Sequence, residues 1–179
     1  MYLLTQRKPL TLLTINILLH KLCCYGVNGN ALQLLKSYLT DRTQRCYVNG
    51  VLSTEQYVSC GIPQGSILGP LLFIIFINDF LKCLGHTTPG MFADDTHVTT
   101  AHEDVSTFEC SLNSDLTAVN NWLKTNKLSC NTSKTSYMTI GSRQNLPNAK
   151  FMNLIELDNR PIEHKPSKLL GVRIDEMLG

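Results

Sequence analysis

The sequence predicts an α+β fold, and three patterns carry that prediction. Over residues 105–123 the apolar positions Val105, Phe108, Leu112, Leu116, Val119 and Leu123 step by three or four, as in a helix packed along one side. Asn49-Gly50 sits between two β-prone stretches, and both residues accept positive φ, which marks a two-residue hairpin turn. Residues 90–99 read as a second tight hairpin, with apolar Met91-Phe92, a turn at Ala93-Asp94-Asp95, and then Val98.

The remaining elements follow in order. Residues 31–39 read as a helix through Leu32, Leu34, Leu35 and Leu39, stopped by the polar cluster at 40–43. Residues 45–48 read as a strand before the Asn49-Gly50 turn. A second strand near 56–60 leads into Gly61-Ile62-Pro63-Gln64-Gly65-Ser66. Ser66 is placed to cap a helix running to about Leu84, with Gly85 as its stop. Pro70 then falls in the first turn, where its missing N–H does no harm. That helix is apolar around most of its girth and is expected to be buried. Residues 137–140 form a short strand, 142–150 a polar loop or linker, and 169–174 a last short strand.

Composition narrows the class. A chain of 179 residues with 43% hydrophobic and 17% charged residues suits one globular domain, or a large piece of one, rather than a disordered chain. The net charge of +2 tolerates a nucleic-acid partner without announcing one, because the Lys and Arg residues are scattered. Seven cysteines without a Cys-x-x-Cys fit neither a zinc site nor a disulfide framework. Reduced thiols in an intracellular protein, cytoplasmic or nuclear, are the expectation. Residues 10–19 faintly resemble a secretory signal, but Thr11, Thr14 and Asn16 dilute the run and no small-x-small cleavage site follows. The apolar run at 71–77 is too short to span a bilayer, so no membrane association is expected.

Two motifs carry chemistry. Adjacent carboxylates at the tip of a rigid hairpin can hold a hard divalent cation through oxygen, and phosphoryl transfer uses such a cation to neutralise phosphate charge. Alone, Phe92-Ala93-Asp94-Asp95 is weak evidence, since an aromatic-x-Asp-Asp arises by chance in about one chain in twenty of this length; by itself, a solvated Asp-rich turn is the better explanation. The second motif, residues 61–66, sets two glycines around Pro63 and Gln64 just before a helix N-terminus. A backbone so bare of side chains can approach a nucleotide or template closely, and the helix end favours anions. Read by itself, it is an ordinary loop-to-helix cap.

In order and spacing these residues resemble the reverse-transcriptase family, in the form found in non-LTR (LINE, Jockey-like) retrotransposons. Gly61-Ile62-Pro63-Gln64-Gly65-Ser66-Ile67-Leu68-Gly69-Pro70-Leu71-Leu72-Phe73, followed by Ile77-Asn78-Asp79, is similar to the family's motif B. Phe92-Ala93-Asp94-Asp95 is similar to motif C. Trp122-Leu123, Asn126-Lys127-Leu128, Asn131 and Lys134-Thr135 resemble motif D, and Leu169-Leu170-Gly171-Val172 with Asp175 resembles motif E, the primer grip. The resemblance implies a right-hand polymerase palm, an antiparallel sheet with packed helices, acting as an RNA-directed DNA polymerase on an RNA template, a DNA primer and dNTPs with Mg²⁺. It implies Asp94 as a principal metal ligand with Asp95 assisting, Phe92 under the primer end, and Pro63, Gln64 and Gly65 lining the template and incoming nucleotide. Lys134 either matches the motif D lysine that serves phosphate or proton transfer, or is a solvated lysine in a turn.

The sequence departs from the family at motif A, where an aromatic residue and a metal-binding Asp are expected just upstream of Ile17-Leu18-Leu19-His20-Lys21-Leu22. Pro9-Leu10-Thr11-Leu12 occupies the Ala-Phe-Asp-Thr slot, so Thr11 stands where the Asp belongs, and no Asp or Glu precedes Asp41. Codons for Ala-Phe-Asp-Thr read one nucleotide late give Pro-Leu-Thr-Leu, which suggests a short frameshift scar corrected near Asn16. Residues 1–16 are therefore expected to be a degenerate motif A region, 17–141 a palm core, and 142–179 a linker with a motif E-like strand, with fingers, thumb and endonuclease missing. The leading expectation is a polymerase fragment inactive for lack of the motif A acid. The alternatives are a non-catalytic nucleic-acid-binding remnant and a working enzyme completed by another chain.

Overall fold

The computed structural model describes residues 2–5, 13–63, 65–92, 95–131, 135–140, 155–158, 160–165, 168–169 and 172–173. In chain order the elements are β1 (Tyr2–Thr5), α1 (Ile15–Cys24), α2 (Gly29–Leu39), β2 (Arg42–Gln44), β3 (Tyr47–Val48), β4 (Val51–Leu52), β5 (Gln56–Val58) and α3 (Leu68–Ile77). A 3-10 segment (Asn78–Cys83), β6 (Thr88–Phe92), β7 (Asp95–Thr99) and α4 (Val105–Thr125) follow. Six two-residue strands complete the described elements: β8 (Ser136–Tyr137), β9 (Glu156–Leu157), β10 (Arg160–Pro161), β11 (Glu163–His164), β12 (Lys168–Leu169) and β13 (Val172–Arg173). The mixture of helices and small sheets is the α+β class expected. The chain divides into two compact units, one of Lys8–Asn78 and one of Met1–Arg7 with Asp79–Gly179.

In the unit Lys8–Asn78, α1 buries Ile15, Leu18 and Leu22, three positions of one helical face, and packs on α2 and α3. Lys21 on α1 donates from Nζ to the Phe76 carbonyl at 2.6 Å, and its ammonium lies 4.4 Å from the centre of the Phe76 ring. One side chain thus satisfies a carbonyl left open in the last turn of α3 and adds a cation–π contact. The expectation that α3 is buried around its girth is corrected: Leu72, Phe73, Phe76 and Ile77 are buried, whereas Leu71 and Ile74 are exposed. The strand expected at 45–48 narrows to Tyr47–Val48, which pairs with Val51–Leu52 across Asn49-Gly50, where φ is 51° and 81° as the turn requires. A second ladder, β2 with β5, lies just outside it.

In the other unit, five strands form a sheet in the order β11-β8-β1-β7-β6, antiparallel except for the parallel edge pair β11–β8. Its central strand, β1, pairs with β7 and β8 and was not foreseen in the sequence. Helix α4 buries Leu112, Leu116, Val119 and Leu123, the stripe its periodicity predicts. Each such burial contributes about 1.5–3 kcal/mol. Asp104 caps its N-terminus by accepting from the Thr107 amide at 2.8 Å. Hydrogen bonds from the Ser106 hydroxyl and from Thr107 lower the Asp104 pKa to about 2.

The single helix expected from Ser66 to Leu84 is instead split: α3 ends at Ile77 and the chain tightens into the 3-10 segment. Within the tighter turn Phe80 is buried edge-on against Trp122, with ring centres 5.1 Å apart. Asp79 accepts a hydrogen bond from Trp122 Nε1 at 3.2 Å. Beyond it, Asp115 on the buried stripe of α4 accepts from the Gly85, His86 and Thr87 amides at 3.0, 3.0 and 2.8 Å and from the Thr87 hydroxyl at 2.7 Å. The short strand expected at 137–140 is seen at Ser136–Tyr137, and the strand expected at 169–174 is a hairpin, β12–β13. The linker at 142–150 lies outside the described residues.

Thr96 of β7 is fully buried, and its hydroxyl has no hydrogen-bond partner among the described residues. Such an orphan costs about 1–3 kcal/mol of desolvation. Thr96→Val, nearly isosteric, is therefore expected to stabilise the unit by about 1 kcal/mol, read as a higher midpoint in urea unfolding at unchanged m-value.

Candidate functional site

The hairpin β6–β7 presents the first group of candidate residues. Phe92 and Asp95 are in register at its end, so Asp95 belongs to a strand, and only positions 93 and 94 connect the two strands. Asp94 itself lies outside the described residues. Phe92 is 64% exposed and Asp95 is exposed, whereas Thr96 and Val98 are buried. Strand alternation therefore puts Asp95, His97 and Thr99 on the open face, with their partners Phe92, Gly90 and Thr88 beside them. The His97 ring lies directly over the backbone of Gly90, in space that a side chain at 90 would fill. On the other side of β7, Thr5 of β1 is in register with Asp95, Leu4 with Thr96, and Leu3 with His97. Among the described residues, no group of three or more His, Cys, Asp or Glu is arranged to hold a metal ion.

The glycine-flanked loop belongs to the unit Lys8–Asn78 and is built by local anchors. Gly61 adopts φ 78°, donates its amide to the Leu13 carbonyl at 2.8 Å and accepts on its carbonyl from Arg42 Nη2 at 2.5 Å. Arg42 also donates from Nε to the Leu39 carbonyl at 2.8 Å, so one guanidinium ties the end of α2 to the start of the loop. Gly65 has φ 77°, a left-handed conformation that favours glycine. The Ser66 hydroxyl accepts from the Gly69 amide at 3.0 Å, which is the capping bond expected of it. A side chain at Gly69 would press on Ser66 Oγ at 3.2 Å, so a glycine there lets the loop close onto the first turn of α3. Pro63 is half-buried and Gly65 exposed, while Gln64 lies outside the described residues.

The motif D residues are largely structural. Asn126 is buried and donates from Nδ2 to the Trp122 carbonyl at 2.9 Å, and Lys127 takes φ 54° to end α4. The Thr135 hydroxyl donates to the Asn131 carbonyl at 2.9 Å. Lys134 and Thr11 lie outside the described residues. Sequence reasoning missed His97 on the hairpin, whose seat over Gly90 leaves no periodic signal, and the long-range pairing of β1 beside it.

A sequence profile for the family "Reverse transcriptase (RNA-dependent DNA polymerase)" matches residues 13–174, which is most of the chain. The chain belongs to the reverse transcriptase family. Among curated relatives it is 29% identical to the RNA-directed DNA polymerase from mobile element jockey of Drosophila melanogaster over 154 residues, covering 81% of this chain and 16% of the relative. It is 27% identical to the probable RNA-directed DNA polymerase from transposon X-element of the same organism over 149 residues, with the same coverage. A 50-residue stretch is 46% identical to the probable RNA-directed DNA polymerase from transposon BS, covering 28% of this chain and 5% of the relative. The chain thus spans about a sixth of the length of the first two relatives. No helix among the described residues is long and apolar enough to cross a membrane.

Proposed function

We propose that this chain is the palm portion of an RNA-directed DNA polymerase of a non-LTR mobile element, derived from an ancestor that copied an RNA template onto a DNA primer from dNTPs. The observation that carries the reading is the open hairpin bearing Phe92 and Asp95 in a family-matched chain. In this reading Asp94 and Asp95 hold a divalent cation, Mg²⁺ in the ancestor, which supplies charge neutralisation at the phosphate. Phe92 supports the primer end, and Pro63, Gln64 and Gly65 line the path of template and nucleotide. Lys134 serves a phosphate. Residues 17–141 are the palm core. The protein acts inside the cell, in cytoplasm or nucleus.

The donor set does not fit a pair of metal ions. Two neighbouring acids hold one hard cation weakly, and a two-metal centre takes carboxylates from opposite sides. Thr5, in register with Asp95, and Thr11 both lack a carboxylate. We therefore infer a palm that retains affinity for nucleic acid and no longer polymerises.

Primer extension on an RNA template with Mg²⁺ or Mn²⁺ tests this directly. No incorporation is expected; incorporation abolished by Asp94→Ala would overturn the inactivity. Binding to an RNA–DNA hybrid is expected to weaken steeply between 50 and roughly 200 mM salt, as phosphate contacts do. The absence of any hybrid binding at the lowest salt would remove the nucleic-acid reading itself.

A further inference from the structure

We propose that His20 and Cys24, in the last turn of α1, form a surface site for one borderline-soft divalent cation such as Zn²⁺, with two protein ligands and the other positions open to solvent. The site belongs to the unit Lys8–Asn78 and does not draw on the palm reading. Residues four apart on a helix stand one above the other on the same face. α1 turns Ile15, Leu18 and Leu22 inward, whereas His20 and Cys24 are both exposed. His20 Nε2 faces Cys24 Sγ at 3.8 Å. Zinc stands about 2.3 Å from a thiolate sulfur and roughly 2.0–2.1 Å from an imidazole nitrogen, so at tetrahedral angles the two donors lie about 3.5–3.6 Å apart. Closing the pair by about 0.3 Å, within the freedom of exposed side chains, therefore puts both donors on one ion.

The donor types select the ion. Imidazole and thiolate suit Zn²⁺ and its neighbours, not Mg²⁺, which takes oxygen. On binding, the Cys24 thiol proton leaves to solvent and the sulfur donates its electron pair to the metal. The end of the helix favours the added positive charge, because the carbonyls of the last turn point toward it. Lys21, the basic residue of that turn, donates to the Phe76 carbonyl at 2.6 Å and lies over the Phe76 ring, so its ammonium is committed to α3. Cys23 is exposed as well, but its Sγ donates to Asn28 Oδ1 at 3.2 Å, which leaves His20 and Cys24 as the protein ligands. A count of two agrees with the absence of any three-residue metal set among the described residues. Cysteine spacing alone did not reveal the pair, because the second ligand is a histidine one helical turn earlier.

The test titrates the full chain, kept reduced with a phosphine, with Co²⁺ as probe and the thiolate-to-cobalt charge-transfer absorption as readout. The parent is expected to take up one Co²⁺ per chain with that band, and Zn²⁺ is expected to displace it. His20→Gln and Cys24→Ser are each expected to lose the band, whereas Cys23→Ser retains it. No band in the parent, a band that survives His20→Gln or Cys24→Ser, or an equal loss in Cys23→Ser overturns the assignment. An ion held by two residues one turn apart also fastens the end of α1, so Zn²⁺ is expected to raise the urea midpoint of the parent and to leave that of Cys24→Ser unchanged. Equal stabilisation of both by Zn²⁺ likewise overturns the proposal. Because both side chains are exposed, the metal-free variants are expected to keep the circular dichroism of the parent. Cys24→Ala serves in place of Cys24→Ser should the serine variant alone misfold.

Discussion

Replacing Asp115 by Ala is expected to destabilise the sheet-bearing unit by about 3 kcal/mol, read as a fall in urea midpoint. The carboxylate is 3% exposed and accepts three backbone amides and one hydroxyl from Gly85, His86 and Thr87. Removing it strands those amides, and each unsatisfied buried donor costs about 1–3 kcal/mol, reduced as the segment relaxes toward water. Burial pushes the Asp115 carboxyl up, but the Thr87 hydroxyl and the three amides outweigh it and hold the group below the usual carboxylate range. A lowered folded-state pKa contributes stability that is fully present above the unfolded value, about 3.9, and is lost as pH falls through the folded value. The gap between parent and Asp115→Ala should accordingly be constant above about pH 5 and shrink only in stronger acid. A gap that widens toward acid would contradict the sign of the shift.

Phe80→Ala is expected to cost about 3–5 kcal/mol, the range for emptying a fully buried aromatic site. Phe80 is fully buried and meets Trp122 edge to face, a geometry that adds about 0.5–1.5 kcal/mol beyond burial. Its loss also frees the 3-10 segment from α4, so the Asp79–Trp122 hydrogen bond weakens with it. Trp122 is the only tryptophan in the chain, which gives the experiment a local reporter. Its emission should shift to longer wavelength in Phe80→Ala before global unfolding, whereas Phe80→Leu should retain most of the stability and most of the blue emission. An unchanged emission in Phe80→Ala would mean that the two rings do not depend on one another.

Elements governed by neighbours in sequence were legible in advance. The stripe of α4 and the Asn49-Gly50 turn depend on the 3.6 periodicity and on residues that accept positive φ. What failed depended on partners far along the chain. The split of the expected long helix is set by Trp122, 42 or 43 residues beyond Phe80 and Asp79 (122 − 80 = 42, 122 − 79 = 43). The exposure of Leu71 and Ile74 shows that an all-apolar helix does not by itself specify how many faces are covered. Asp115 could have been suspected, because it falls three residues after Leu112 on the apolar stripe, where a carboxylate survives only with partners. Of the candidate site, the strand carrying Phe92 was legible and the loop at 61–66 read as a turn-rich cap, whereas Asp95, expected in the turn, begins β7. The pairing of β1 with β7 was not legible, because register between distant strands leaves no local trace.

The place of β1 in the middle of the sheet also sets the order in which the protein comes together on the ribosome. Leu4 pairs with Thr96, a separation of 92 residues (96 − 4 = 92), and the second neighbour, Tyr137, comes later still. At about 5–20 residues per second, β1 leaves synthesis roughly 5–20 s before its first partner exists. Throughout that interval both of its edges are open, while the helices and ribbons of Lys8–Asn78, made entirely of intervening sequence, have time to collapse on their own. The central strand is thus made early and docked late.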